Sequence, residues 1–175
     1  LQSVTEPYAV PATDGGKPSV LLIVSDPETQ RFLTLVLEHD YRIELAPDGI
    51  EGLQKIRSHP PDLVLKDLTD PRKSGEALIA GIRQDGALGL LPVILLATKE
   101  DADRKNALLR EGAQDYVLKP FAPEELLARI KSQVTLKRAR EALQREASSQ
   151  IFDLAVLTRE VTERRKDLER TLVEL

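Results

Sequence analysis

The sequence predicts an α/β fold, a parallel five-stranded sheet with helices on both faces. Three observations predict it. Short apolar runs alternate with helix-period segments five times along the chain. The best of these runs carry no polar residue, as suits strands covered on both sides. The connections are short, so successive strands join through helical crossovers rather than hairpins. Apolar residues are 41 % of the 175, enough for a core, while aromatics are 3 %, so that core is aliphatic.

The elements follow in order. Val20 to Val24 is the first strand. Pro27 opens the first helix, where a missing N–H is no loss, and Phe32, Leu33, Leu35, Val36 and Leu37 are expected to form a wide buried stripe. Arg42 to Ala46 is the second strand, Asp48-Gly49 a turn, and Leu53 and Ile56 one face of the second helix. Leu63 to Leu65 is the third strand, and Leu78, Ile79 and Ile82 mark the third helix. Pro92 to Ala97 is the fourth strand. Ala107, Leu108 and Leu109 lie on the fourth helix, which Gly112 ends. Tyr116 to Leu118 is the fifth strand, and Pro123-Glu124-Glu125 opens the last helix with a proline and acids in its first turn.

That last helix has no stop signal. From Pro123 to Leu175 there is neither proline nor glycine. Ala147, Leu154, Val161, Leu168 and Leu175 recur every seven residues, and Leu136, Leu143 and Leu157 supply the companion core position, interrupted by Gln150, Arg164 and Thr171. Such a stripe is expected to pair with a second copy as a dimeric coiled coil; a helical hairpin or packing on a further domain is the competing reading. The expected organisation is a disordered linker or tag remnant over 1–17, a domain over 18–133 and a coiled-coil helix over 134–175. With no methionine, even at position 1, the chain reads as a segment of a longer protein.

Composition narrows the function. The net charge of −4 argues against direct nucleic-acid binding. No cysteine is present for disulfides or thiolate metal sites. No apolar run exceeds five residues, far short of a membrane span, and no signal peptide opens the chain, so a cytoplasmic location is expected.

The functional signal is Asp67, closing Pro61-Asp62-Leu63-Val64-Leu65-Lys66-Asp67, and Lys119-Pro120-Phe121, 52 residues later. Parallel strands end at one edge, where ligands bind. A carboxylate and an ammonium at two strand ends therefore meet despite their separation. The pair suits a carboxylate that accepts a phosphoryl group and a cation that answers the new charge.

These residues resemble the receiver domain of two-component response regulators. The match runs through Val20-Leu21-Leu22-Ile23, Pro61 to Leu68, Pro92 to Leu96 and, most specifically, Gly112-Ala113-Gln114-Asp115-Tyr116-Val117-Leu118-Lys119-Pro120-Phe121. The resemblance implies a flavodoxin-like sheet of order 2-1-3-4-5 and phosphorylation of Asp67 by a partner histidine kinase or phosphotransfer protein. It implies Mg²⁺ held by Asp67 and Asp26, Lys119 and Thr98 against the phosphoryl oxygens, and a switch at Ala97 and Tyr116. It further implies a cis Lys119-Pro120 bond and a connector helix leading to an output module.

The chain departs from the family pattern in three places. The two acids expected after strand one fall on Val24 and Ser25 in an ungapped alignment, with Asp26 one residue late; shifting by one makes Ser25 and Asp26 the pair. The hydroxyl expected at the end of strand four falls on Ala97, with Thr98 one step late. Thr69 and Asp70 stand where apolar residues are common. The alternative is thus a degenerate receiver, a phosphate-independent interaction and dimerisation module. An enzyme is not expected. A phosphatase of the haloacid dehalogenase type wants a second aspartate two residues after the first, where this chain has Thr69.

Overall fold

The computed structural model describes residues 16–69 and 74–174. Five parallel strands form one sheet: β1 (Ser19–Ile23), β2 (Arg42–Ala46), β3 (Leu63–Asp67), β4 (Val93–Ala97) and β5 (Asp115–Leu118). Their order is β2-β1-β3-β4-β5, the flavodoxin-like arrangement. The helices are α1 (Pro27–Leu37), α2 (Gly49–Ser58), α3 (Gly75–Gln84), α4 (Ala102–Glu111) and α5 (Pro123–Val173).

Strand alternation splits the core in two. Val20, Leu22, Leu63, Leu65, Ile94, Leu96 and Val117 face α1 and α5, meeting Leu33, Leu37, Leu126, Ile130 and Val134. Leu21, Ile23, Val64, Val93 and Leu95 face α2, α3 and α4, meeting Ile56, Leu78, Ile79, Ile82 and Leu108. Residues of β1, β3 and β4 are buried throughout, whereas β2, at the sheet edge, buries only Ala46 fully.

Local chemistry starts and stops the helices. Asp26 caps α1 ahead of Pro27, and Asp48 caps α2 by accepting from the N–H groups of Ile50 (2.9 Å) and Glu51 (3.0 Å). The Asp48-Gly49 turn of the sequence reading is therefore a helix cap. Gly112 ends α4 at φ 126°, a conformation that favours glycine.

Two expectations need correction or limits. The wide buried stripe on α1 is not found: Leu33 and Leu37 are buried, but Phe32 and Leu35 are largely exposed. Two core positions a turn apart are enough to seat α1, and five apolar residues within the six positions 32–37 necessarily wrap past that face. The expected linker over 1–17 falls outside the described residues except for Gly16 and Lys17, as do Asp70 and Leu175.

The chain divides into two compact units, one ending at Lys137 and one running from Arg138. In the first, Val134 is still buried, and Lys137 Nζ lies 3.7 Å from Asp62 Oδ1 near the start of β3. In the second, Leu143, Ala147, Leu154, Leu157, Val161 and Leu168 are all exposed on α5; Leu136, in the first unit, is also exposed.

Candidate functional site at the carboxyl edge of the sheet

Asp67 ends β3, and Lys119 follows β5 directly. The end of β4 lies between them. The Leu68 N–H donates to the Leu96 carbonyl (2.9 Å) and the Lys119 N–H to the Ala97 carbonyl (2.8 Å), so backbone bonds hold the three strand ends side by side. Leu65 and Val117 face the α1/α5 layer. Asp67 and Lys119, each two residues further on, share that face. Neighbouring strands are about 4.8 Å apart, and the long lysine stem spans two such steps. Its Nζ donates to Asp67 Oδ2 at 2.7 Å.

The Asp67 side chain is 2 % exposed and that of Lys119 23 %. The other carboxylate oxygen is also held: Oδ1 accepts from the Thr69 N–H (3.0 Å) and hydroxyl (2.8 Å). Thr69, which in sequence reads only as a departure from the family pattern, is thus a direct neighbour of the candidate acceptor. Its signal was legible, because Asp followed two residues later by Thr is a turn in which the aspartate caps the chain.

Asp26 lies exposed at the rim, its Oδ2 accepting from the Thr29 N–H (2.8 Å) and hydroxyl (2.6 Å). These bonds hold its carboxyl below the usual carboxylate range, with a smaller contribution from the Lys119 ammonium. Lys119 therefore acts on both acids. Val24 is buried in the apolar α1/α5 layer and Ser25 is exposed.

Ala97 is fully buried against the α2–α4 layer. The Thr98 N–H and hydroxyl both donate to Asp101 Oδ2 at 2.9 Å, capping the 3-10 turn Lys99–Asp101. Tyr116 is half-buried, with Lys105 Nζ 3.8 Å above its ring. The Lys119-Pro120 peptide bond is cis.

A second missed residue is Arg104 of α4. Its guanidinium grips Glu76 of α3 at 2.9 and 3.3 Å and donates to the Leu68 carbonyl at 2.7 Å, one residue past Asp67. The grip holds the Glu76 carboxyl below its usual range. In sequence Arg104 reads as one of many charges on a solvated helix face. Lys66, fully buried beside Asp67, was equally unmarked.

Among the described residues no three His, Asp or Glu side chains gather as a metal cluster. Mg²⁺ needs only one or two carboxylates with water and phosphate oxygens to complete its shell. Each carboxylate oxygen has two lone pairs. Thr69 fills those of Asp67 Oδ1, while Lys119 takes one at Oδ2; Thr29 fills those of Asp26 Oδ2. Asp26 follows β1, which neighbours β3, and the charge of Lys119 reaches it, so Asp26 and Asp67 stand at one edge and offer the one or two carboxylates that Mg²⁺ asks for.

A response regulator receiver domain model matches residues 20–131. The chain belongs to the response regulator receiver family. It is 40 % identical over 146 residues to hybrid signal transduction histidine kinase D of Dictyostelium discoideum, covering 83 % of this chain and 9 % of that protein. It is 35 % identical over 166 residues to the sensor histidine kinase TmoS of Ectopseudomonas mendocina, covering 95 % and 17 %. Response regulator ArlR of Staphylococcus aureus is 36 % identical over 140 residues, covering 79 % and 58 %. The chain thus spans less than two thirds of each of these relatives. Among solved structures, a protein described as a response regulator from Chloroflexus aurantiacus aligns with TM-score 0.64 and 32 % identity, over 69 % of this chain and 99 % of that one. The receiver domain of sensor histidine kinase PA1611 from Pseudomonas aeruginosa, whose cleft coordinates magnesium, aligns with TM-score 0.63 and 25 % identity, over 69 % and 99 %.

Proposed function

We propose that this receiver accepts a phosphoryl group on Asp67 from the phosphohistidine of a partner histidine kinase or phosphotransfer protein. The observation that carries the reading is the 2.7 Å bond from Lys119 to a carboxylate that is 2 % exposed. Asp67 Oδ2 is the attacking oxygen, since Thr69 holds Oδ1 with two bonds. The bond from phosphorus to the histidine nitrogen breaks as the acyl phosphate forms. The side chain's charge then grows, and Lys119 turns from the carboxylate to a phosphoryl oxygen, as a point charge on a flexible stem can. Phosphoryl transfer asks for positioning and charge neutralisation more than covalent help. Thr69 supplies positioning by locking Oδ1, and Lys119 supplies charge. Asp26 and Asp67 are the residues that would hold Mg²⁺, which when bound neutralises phosphoryl oxygens.

Thr98 reaches a phosphoryl group only by releasing Asp101, and Ala97 brings no hydroxyl, so signalling through Tyr116 is weak in this chain. Arg104, joining α4 to the carbonyl beside the acceptor, is the better route outward. The receiver passes its state into α5, whose exposed heptad stripe forms a dimeric coiled coil leading to an output module. It works as a signal receiver, with no substrate turned over for its own sake, and with no direct contact to nucleic acid or membrane. No helix among the described residues is long and apolar enough to cross a membrane.

A second reading has its own support. Val24, buried in the core, stands where an acid is usual, which favours a phosphate-independent interaction and dimerisation module. Beryllofluoride with Mg²⁺, titrated while amide NMR shifts are followed, separates the two. Saturable shifts at Leu68, Thr69 and Lys119, lost in Asp67→Asn, are expected for a phosphoacceptor. A titration that moves no peak leaves the second reading standing.

A further inference from the structure

The geometry points to a parallel, in-register pair of copies along α5, a conclusion that rests on the dimer proposed above and fixes its orientation. In the heptad frame set by the seam, Ala147, Leu154, Val161 and Leu168 are position a, and Leu143 and Leu157 are position d. These residues lie on one face of a continuous helix, and Leu143, Leu154, Leu157, Val161 and Leu168 are each 56–67 % exposed in the single chain. The a position is apolar in four successive heptads, and this period of seven matches another helix of the same kind.

The flanks decide which way that helix runs. Glu146, Asp153, Glu160 and Asp167 occupy four successive g positions, all exposed, so one flank of the seam is acidic from end to end. In an antiparallel pair each g flank faces the other g flank. Acid would then stand against acid along the whole contact, and like charges in register repel. In a parallel pair each g residue faces the e position of the partner's next heptad. The e positions Ile151, Thr158, Arg165 and Leu172 hold no acid. Glu160 then meets Arg165 of the second copy, and the other three acids face neutral side chains. Arg164, at a d position, faces its own copy in register, a like-charge contact that its 3.3 Å bond to Glu160 offsets in part and that is confined to one layer, against four acidic layers in the antiparallel pair. In-register pairing also sets Gln150 against Gln150 and Thr171 against Thr171, side chains that can bond each other.

The chain contains no cysteine, so single cysteines report orientation cleanly. Sedimentation of the full chain first establishes whether it dimerises. Thr171→Cys is then oxidised in a glutathione buffer, alone and mixed with Arg140→Cys. Parallel helices place the two residue-171 thiols together. Antiparallel helices centred on one another separate them by roughly 45 Å at about 1.5 Å per residue and set 171 near 140 instead. The expected result is a dimer in which the 171–171 disulfide exceeds the 140–171 disulfide by about tenfold or more, because paired thiols share a millimolar effective concentration. A dimer giving the mixed disulfide, or none, overturns the parallel assignment while leaving the dimer intact. A monomer overturns the dimer reading, and this inference with it.

Discussion

Lys119→Met tests the central pair energetically. The two side chains are unequally buried: the carboxylate is 2 % exposed and the ammonium side chain 23 %. Removing the cation therefore strands a charge in the protein, whereas removing the acid leaves a cation that water can reach. A charge-assisted hydrogen bond is worth about 1.5–3 kcal/mol, and breaking a fully buried pair costs about 3–5 kcal/mol. Two terms hold the loss below that upper range. Thr69 keeps its two bonds to Oδ1, and Lys119 is partly hydrated already. The expected destabilisation is about 2 kcal/mol at neutral pH. Urea denaturation followed by tyrosine fluorescence reads it, since Tyr41 and Tyr116 both sit in the sheet unit. The double variant Asp67→Asn with Lys119→Met removes the stranded charge and recovers much of the loss, giving a coupling energy above about 1 kcal/mol in the cycle. A single-variant loss below about 0.5 kcal/mol, or strictly additive losses, would refute the reasoning.

Other consequences are open to measurement. Gly112→Ala forces a Cβ onto a backbone at φ 126° and to within 2.8 Å of Arg83 Nε, and should cost about 1–2 kcal/mol in the same assay. Asp62→Ala removes the bond to the Ser19 N–H (2.8 Å) and the pairing with Lys137 (3.7 Å); amide exchange should quicken at the start of β1 and around Val134 to Lys137, and unchanged exchange there would show that Asp62 does not anchor α5. Glu76 has its folded pKa lowered from 4.5 by Arg104, so its contribution is present above that value and lost as pH falls through the lower folded one. The urea midpoint of the native chain should therefore fall more steeply as the pH drops below about 4.5 than that of Arg104→Gln, and parallel curves would remove Arg104 as the cause.

Much of the fold was legible because its strands are unambiguous. Val20 to Val24 and Pro92 to Ala97 are fully apolar and flanked by breakers, and β1 and β4 lie within one residue of them. The convergence of Asp67 and Lys119 on one edge was legible too, since a shared sheet edge follows from parallel topology, whereas the common face needed the strand register. The α1 stripe was misread for a physical reason. Phe32 and Leu35 are apolar but sit off the core-facing side, and periodicity over a short helix cannot tell a core residue from an exposed one. Phe32 instead reaches Phe121, with ring centroids 6.1 Å apart. Arg104 was invisible because its role depends on a carbonyl 36 residues away, a relation that no local pattern encodes. Thr98 shows the same limit from the other side. Its hydroxyl looked available near strand four, but Asp101, three residues on, claims it as a cap.

The chemistry of Asp67 offers the most direct test. The full chain is incubated with acetyl phosphate and Mg²⁺, then its intact mass is measured and the modified peptide mapped. A gain of one phosphoryl group is expected on the peptide bearing Asp67, absent from Asp67→Asn and much reduced in Lys119→Met. An unmodified mass under conditions that phosphorylate another receiver would contradict it.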